Sequence, residues 1–153
     1  MNQPPARTAQ QRKQDTLRRL RDDEDVWVAT AAADGGAPYL VPLSFVWDGS
    51  TLLLATPAAS PTGRNLTATR TARLGIGPTR DVVMVEGDAE PLTLAELPDA
   101  EADRFAAETG FDPRRLEARY LYFRIRPRRI QAWREANELA GRDLMRDGKW
   151  LVD

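Results

Sequence analysis

Two Asp-Gly pairs between apolar runs constrain the fold of this chain more than any other feature. The run VWVATAA, which begins at Val26, is followed by ADGGAP, the run YLVPLSFVW by DGS, and TLLLAT ends the series at Thr56. Asp-Gly between apolar stretches is the strongest short-range signal for a β-hairpin. Residues 26–56 are therefore predicted to form a three-stranded antiparallel meander.

The remaining sequence predicts more strands and few helices. The stretches ARLGIG, DVVMVEGDAEPL and YLYFRIRPRRIQAW read as strands, and the tail GRDLMRDGKWLVD contains a further Asp-Gly turn, which predicts a small hairpin. Helices are predicted over 8–21, 62–70 and 98–108. Six or seven strands joined by hairpins predict a mainly β fold, a closed or split antiparallel barrel with peripheral helices. We expect a polar helical arm over 1–25 and one barrel domain over 26–153, ending in the hairpin tail.

Alternation along the long last strand separates two sets of side chains. Leu121, Phe123 and Ile125 fall on the predicted core face. The residues between and beside them are Tyr120, Tyr122, Arg124 and Arg126. We predict that this second set forms a solvated face or one that packs in a dimer; alternatively, one of its arginines would reach a ligand bound to a partner subunit. Within the second strand of the meander, Pro42 cannot donate to a ladder, which predicts a sheet edge, a bulge or a gap that faces a ligand.

Composition excludes several classes of chemistry. The 153 residues include no cysteine and no histidine, which removes thiolate nucleophiles, structural zinc and the usual general base of hydrolases. Redox chemistry here would therefore need an organic cofactor. The net charge of −1 disfavours a sequence-independent grip on nucleic acid. No metal site, membrane span or signal core is predicted, so we expect a cytoplasmic protein.

The segment ASPTGRNL, which follows the third strand, has two interpretations. Ser60 suits a helix N-cap and Pro61 the first helical position, so the segment would simply begin a helix. Alternatively, the free N–H groups of a helix N-terminus, with hydroxyls and the Arg64 guanidinium beside them, would form an anion site. The spacing alone leaves both interpretations open.

These segments, taken in order, resemble a known family. VWVATAAADGGAPYLVPLSFVWDG, LLLATPAASPTGRNL, TRTARLGIG, DVVMVEGDAE and YFRIRPRRIQAW together cover about Val26 to Trp133. They are similar to the FMN-binding split barrels related to pyridoxamine 5′-phosphate oxidase. That group includes flavin and deazaflavin oxidoreductases common in actinobacteria, some of which use coenzyme F-420.

The resemblance implies a homodimer with a cofactor bound between the subunits. It places the cofactor phosphate on the helix start after the third strand and the ring system along the second strand, with Thr56 at the mouth. The implied cofactor-binding residues are Leu40, Val41, Pro42, Leu43, Ser44, Thr56, Ser60, Thr62, Arg64, Asn65 and Trp133. For Trp133, core or dimer packing is the alternative. Tyr39, beside the implied ring pocket, would orient a substrate carbonyl or donate a proton, with plain packing as its alternative.

The implied activity is hydride transfer between FMN or F-420 and a small planar conjugated organic substrate. The alternative is a flavin or tetrapyrrole carrier or sensor without turnover. Many deazaflavin-using relatives have a lysine where this chain has Thr62, which favours FMN over F-420. Compensation for that lysine would come from Arg70, Arg73 or Arg80.

Overall fold

One antiparallel sheet of nine strands forms the framework of the computed structural model, which describes residues 3–153. The strands are β1 (Asp25–Thr30), β2 (Tyr39–Ser44), β3 (Val46–Trp47), β4 (Leu52–Pro57), β5 (Thr71–Ile76), β6 (Val82–Leu92), β7 (Tyr120–Trp133), β8 (Asp143–Arg146) and β9 (Lys149–Trp150). Three α-helices accompany them: α1 (Ala9–Asp22), α2 (Pro61–Thr69) and α3 (Asp99–Thr109).

The order of the strands explains why the barrel is split. Seven strands follow one another as β2-β1-β5-β6-β7-β4-β3, while β8 and β9 form the C-terminal hairpin beside β7. The sheet curls until β2 approaches β4, but along the described chain β2 pairs only with β1 and β4 pairs with β3 and β7. The predicted mainly β, antiparallel split barrel with peripheral helices is therefore confirmed.

Alternating apolar residues from both sides of the curl fill the interior. The fully buried members include Val28, Leu52, Leu54, Val85, Phe123 and Ile125. Helix α2 packs over one end of this interior and inserts Leu66, which is fully buried. The interior alternation predicted for β7 is thus confirmed at Phe123 and Ile125.

The opposite face of β7 differs from the prediction. Tyr122 is fully buried, because α3 lies over the outer side of β4 and β7 and makes a second apolar cluster there. Its ring meets Phe105 edge to face at 5.6 Å between centroids. Arg124 pairs with Glu101 of α3 at 2.9 Å and with Asp48 at 3.4 Å. The expectation of a solvated or dimer-packed face is wrong for these residues, since an element of the same chain covers them.

This second cluster predicts an unusual response to one substitution. The Tyr122 hydroxyl is buried without a hydrogen-bond partner among residues 3–153, and burial raises its pKa. Tyr122→Phe should leave the free energy of unfolding unchanged or raise it by up to about 1 kcal/mol, because it removes a desolvated group that gains no bond. Phe105→Ala should lower it by about 3–5 kcal/mol. Urea denaturation of both variants checks this, and a clear loss in Tyr122→Phe would contradict it.

Charged side chains join the N-terminal segment to the loop after β7. Thr8 caps α1 by accepting the N–H of Gln11 at 3.1 Å. Just before this cap, Arg7 donates to both carboxylate oxygens of Glu138, from Nε at 3.0 Å and from Nη2 at 2.7 Å. Glu138 is almost fully buried. The hydrogen bonds from Arg7 outweigh desolvation and lower the pKa of Glu138 to about 2.

The lowered pKa makes a signed prediction for acid stability. Because Glu138 is a stronger acid when folded, its contribution is complete above the usual carboxyl range and disappears as pH falls toward about 2. Glu138→Gln should cost about 3–5 kcal/mol at neutral pH, since it leaves buried arginine charge uncompensated. It should also flatten the decline of stability between about pH 5 and 3. Urea denaturation at several pH values across this range, with exposed Glu108→Gln as control, measures both effects. If the free energy of unfolding depends on pH as steeply in Glu138→Gln as in the control, the assignment is wrong.

Candidate functional site

The split between β2 and β4 opens as a cleft of about 260 Å³ on the outer side of the barrel. Its lining comprises Pro42, Leu43, Ser44, Ala55, Thr56, Pro57, Phe105, Phe111 and Tyr120. Phe111 and Tyr120 lie 5.4 Å apart between ring centroids and form an aromatic wall opposite β2. The cleft is thus a mostly apolar slot with a few hydroxyls.

Strand β2 supplies one wall of the cleft as an edge strand. Pro42 therefore removes a donor from an unpaired edge, in agreement with one of the three predicted explanations for it. The register with β1 places Val41 opposite Val28 and Leu43 opposite Val26, on the inner face. The other three residues of the predicted run, Leu40, Pro42 and Ser44, lie on the outer face. Alternation therefore divides the five side chains between two surfaces, and what the strand presents continuously to the cleft is its backbone edge.

Two hydroxyl-bearing side chains, one at the end of β4 and one in the loop that follows, lie near the N-terminus of α2. Ser60 caps the helix by accepting the N–H of Gly63 at 3.0 Å, and its hydroxyl donates to the Pro57 carbonyl at 2.8 Å. Thr56 Oγ1 lies 3.3 Å from Ser60 Oγ. A side chain at Gly63 would collide with the Pro57 carbonyl oxygen, so glycine is needed where the helix and the loop approach so closely. The predicted helix cap at Ser60 is confirmed.

The remaining predicted residues of this helix start have different surroundings. Thr62 is 1% exposed, and its hydroxyl has no partner among the described residues. Arg64 is exposed and donates one bond, from Nη1 to the Ala59 carbonyl at 2.7 Å. Asn65 donates to Thr30 Oγ1 at 3.1 Å. The side chain that an external anion would meet first is therefore Arg64.

Tyr39 lies at the start of β2, opposite Thr30 in the register with β1. It is 39% exposed. Because Asn65 bonds to Thr30, the chain brings Tyr39 to the same end of the barrel as α2. The phenol is therefore open to solvent near the helix start rather than packed in the core.

Trp133 is not part of the cleft. It lies at the end of β7 opposite Val82 and lines a separate apolar groove of about 320 Å³ on the outer face of the sheet. Its lining includes Trp27, Leu40, Gly75, Met84 and Trp133. The guanidinium of Arg142 lies over the Trp133 ring, 5.5 Å from its centroid. Within one chain, Trp133 and the helix start thus belong to different surfaces.

Sequence reasoning missed the aromatic wall and Arg142. Both come from segments whose position depends on tertiary packing, and neither carries a local motif. The three arginines considered as substitutes for the missing lysine are placed elsewhere: Arg70 is the left-handed C-cap of α2, Arg73 pairs with Glu86, and Arg80 pairs with Glu135.

Two further findings describe the same range of residues. Between residues 3 and 153, no group of three or more potential ligand side chains is arranged to hold a metal ion. None of the helices described is both long enough and apolar enough to cross a bilayer.

Solved structures with this fold include proteins named as a reductase, as an oxidase and as a heme storage protein. An F420 reductase shares 20% identity, with a TM-score of 0.59 and coverage of 74% of this chain and 93% of that one. A putative pyridoxamine 5′-phosphate oxidase from Listeria innocua shares 16%, with a TM-score of 0.63 and coverage of 80% and 98%. HutZ, the heme storage protein of Vibrio cholerae, shares 14%, with a TM-score of 0.59 and coverage of 75% and 89%. At these identities the similarity establishes the fold alone.

The sequence itself determines the family. No curated protein matches the chain significantly. The profile described as pyridoxamine 5′-phosphate oxidase, however, matches residues 14–134, which include α2, the cleft strands β2 and β4, and Trp133. With its split barrel and this match over most of its length, the chain belongs to the pyridoxamine 5′-phosphate oxidase family.

Proposed function

We propose that this protein is an oxidoreductase that transfers hydride between a bound flavin, FMN in preference to F-420, and a small planar conjugated organic substrate. The observation that carries the proposal is the contact that joins the lining of the cleft to the cap of α2. The apolar slot contains Thr56, and Thr56 contacts Ser60 at the helix cap. An apolar slot that ends at a helix N-terminus suits a planar ring with a phosphate tail.

The helix start fits a phosphate monoester. A helix N-terminus carries the positive end of the helix dipole, and α2 has nine residues. The buried Thr62 hydroxyl, which has no partner among the described residues, is a further polar group at this end. Arg64 is a cation in the first turn of a helix, which is an unfavourable place for it unless an anion is bound nearby. We therefore assign the phosphate to this helix start, with Arg64 as its charged contact.

The cleft fits a flat ring. Pro42 and Ser44 lie on one side, and Phe111 and Tyr120 lie on the other. Because β2 is an edge strand, its free backbone groups are available to the polar edge of a flavin, and Leu40–Ser44 act through this edge. When bound, the reduced flavin supplies the hydride, and the protein orients the reactants and excludes water. Tyr39, exposed at the same end of the barrel, would orient the substrate carbonyl or deliver a proton.

Thr62 favours FMN over F-420. A lysine at this position would supply an ammonium for an acidic cofactor, but this chain has a nearly fully buried threonine there. Of the arginines predicted to compensate for that lysine, Arg73 and Arg80 pair with carboxylates of this chain, and Arg70 lies at the opposite end of α2. Arg64 therefore carries the charge recognition alone in this proposal, which suits the single phosphate of FMN.

We also propose a homodimer in which the outer sheet face that Trp133 borders meets the cleft between β2 and β4 of the other subunit. The outer face exposes a set of large apolar side chains: Trp27 is 52% exposed, Leu40 59% and Met84 37%. Such a contiguous apolar face on a small protein is typical of an interaction surface. In the dimer, the face of one subunit would cover the cleft of the other and bring Trp133 to its cofactor.

The dimer proposal predicts the effect of a charge on the outer face. Trp27→Asp should convert a dimer into a monomer at micromolar concentration, because a buried unpaired carboxylate is costly at an apolar interface. Leu151→Asp is the matched control, since Leu151 is 52% exposed but lines neither the groove nor the cleft. Sedimentation velocity distinguishes the states. A monomeric wild-type protein that still binds flavin would overturn the shared site.

Arg64→Ala separates an anion site from a simple helix start. If Arg64 binds the phosphate, the variant should bind FMN about ten- to a hundredfold more weakly, as expected for a lost charge-assisted hydrogen bond. Riboflavin has the same ring but no phosphate, so its affinity should be unchanged. Titrations that follow quenching of flavin fluorescence measure both affinities, and Arg18→Ala, an exposed arginine of α1, is the control.

Each alternative outcome has a distinct interpretation. Equal losses for FMN and riboflavin would place Arg64 near the ring or in the scaffold, and no loss for either would reduce the segment to a helix start. Titration with haemin tests the tetrapyrrole carrier. Haem iron in proteins is held by histidine, cysteine, methionine or tyrosine, and this chain contains neither of the first two. A Soret band that shifts on stoichiometric haemin binding, without flavin binding, would favour the carrier.

A further inference from the structure

Arg12 of α1 contacts the backbone of the loop that joins Trp133 to Arg142. It is 6% exposed, and its Nη1 donates to the carbonyl oxygens of Glu138 at 2.9 Å, Ala132 at 3.3 Å and Gly141 at 3.3 Å. Two of these acceptors immediately precede Trp133 and Arg142 in the chain. One guanidinium thus holds the backbone at both ends of the loop that separates the stacked pair.

A backbone hydrogen bond further restricts the loop between Trp133 and Arg142. The Ala132 N–H donates to the Arg142 carbonyl at 3.0 Å, so the two ends of the loop are bonded to each other as well as to Arg12. Beyond them, the Arg142 guanidinium lies 5.5 Å from the centre of the Trp133 ring. A shift of either backbone end would separate the guanidinium from the ring.

Energetics indicate that Arg12 contributes more than stability. Its Nε is buried and has no hydrogen-bond partner among the described residues, and its nearest carboxylate oxygen, in Glu138, is 4.0 Å away. Burying a guanidinium with an unpaired donor is costly, so stability alone is a weak reason for an arginine at this position. A planar fork that binds several carbonyl groups at once, however, fixes their relative positions as an apolar side chain cannot.

We propose that Arg12 is a positioning residue for the ligand site: it holds Trp133 and Arg142 in the arrangement in which their paired ring and cation contact the flavin bound to the partner subunit. This inference rests on the proposed function for its ligand, but the positioning itself is a property of the single chain. Arg12 touches neither flavin nor substrate and acts through the backbone of Ala132 and Gly141.

The test compares Arg12→Met with Arg18→Met, an exposed arginine of the same helix. Because Arg12 acts on the ring contact and not on the phosphate, Arg12→Met should weaken FMN and riboflavin equally, by about three- to tenfold, the scale of one or two lost neutral hydrogen bonds. Arg64→Ala should weaken FMN alone. In a background that lacks both contacts, Trp133→Ala together with Arg142→Ala, Arg12→Met should cause no further loss. An undiminished loss in that background, or no loss at all, would overturn the inference.

A second measurement does not require a ligand. The near-ultraviolet circular dichroism of Trp133 is isolated by subtracting the spectrum of Trp133→Phe, in the presence and in the absence of Arg12→Met. We expect the Trp133 signal to decrease strongly in the Arg12→Met protein, and an unchanged signal would overturn the positioning role. If Arg12→Met does not fold, Arg12→Lys keeps the charge beside Glu138 without the planar fork, and the same spectral comparison applies.

If wild-type protein binds no flavin while Arg12→Met still abolishes the Trp133 signal, the proposed function fails and the positioning role stands. If flavin binds and the Trp133 signal does not depend on Arg12, the positioning role fails and the flavin proposal stands. The two hypotheses therefore fail separately.

Discussion

The carboxylate of Glu138 is the interaction on which the arrangement of both chain ends depends. It accepts a hydrogen bond from the guanidinium of Arg7, 131 residues away in the sequence, and another from the N–H of the nearby Arg134. Arg12 could not be buried beside it without a nearby negative charge. Because these contacts fix the loop that follows β7, the position of the Trp133 ring is determined by the N-terminal helix as much as by the strand that carries it.

The failure of the sheet to close is equally consequential. A closed barrel would pair β2 with β4 and leave no edge, whereas the observed order leaves the free edge of β2 beside a strand that already has two partners. An exposed edge strand invites pairing with other chains. Here Pro42 and the aromatic wall of Phe111 and Tyr120 restrict access to it. The cleft therefore follows from a topological constraint, and its chemistry comes from the few side chains that border it.

The fold was more predictable from the sequence than the site. Asp-Gly turns and the Ser60 cap are local signals, so hairpins and helix starts could be recognised from neighbouring residues. Alternation showed that Tyr122 and Phe123 face opposite sides, but it could not show that α3 covers Tyr122. The Arg7–Glu138 pair, the Arg142–Trp133 stack and the wall at Phe111 join distant segments that no local pattern connects. Side-chain alternation also divides Leu40–Ser44, all of which the resemblance implies as cofactor-binding, between two faces of the sheet.

The separation of Trp133 from the cleft bears on how two chains would assemble. Both belong to the segment that the family profile matches, yet one chain places them on different surfaces. In the proposed homodimer, a two-fold axis would apply the same contact twice, so an outer face that covered the partner's cleft would complete two equivalent sites at once. The exposed Trp27 and Leu40 lie on the outer sheet face that Trp133 also borders. In the proposed dimer, apolar burial and completion of the site would be consequences of the same contact, which would account for the exposed apolar face.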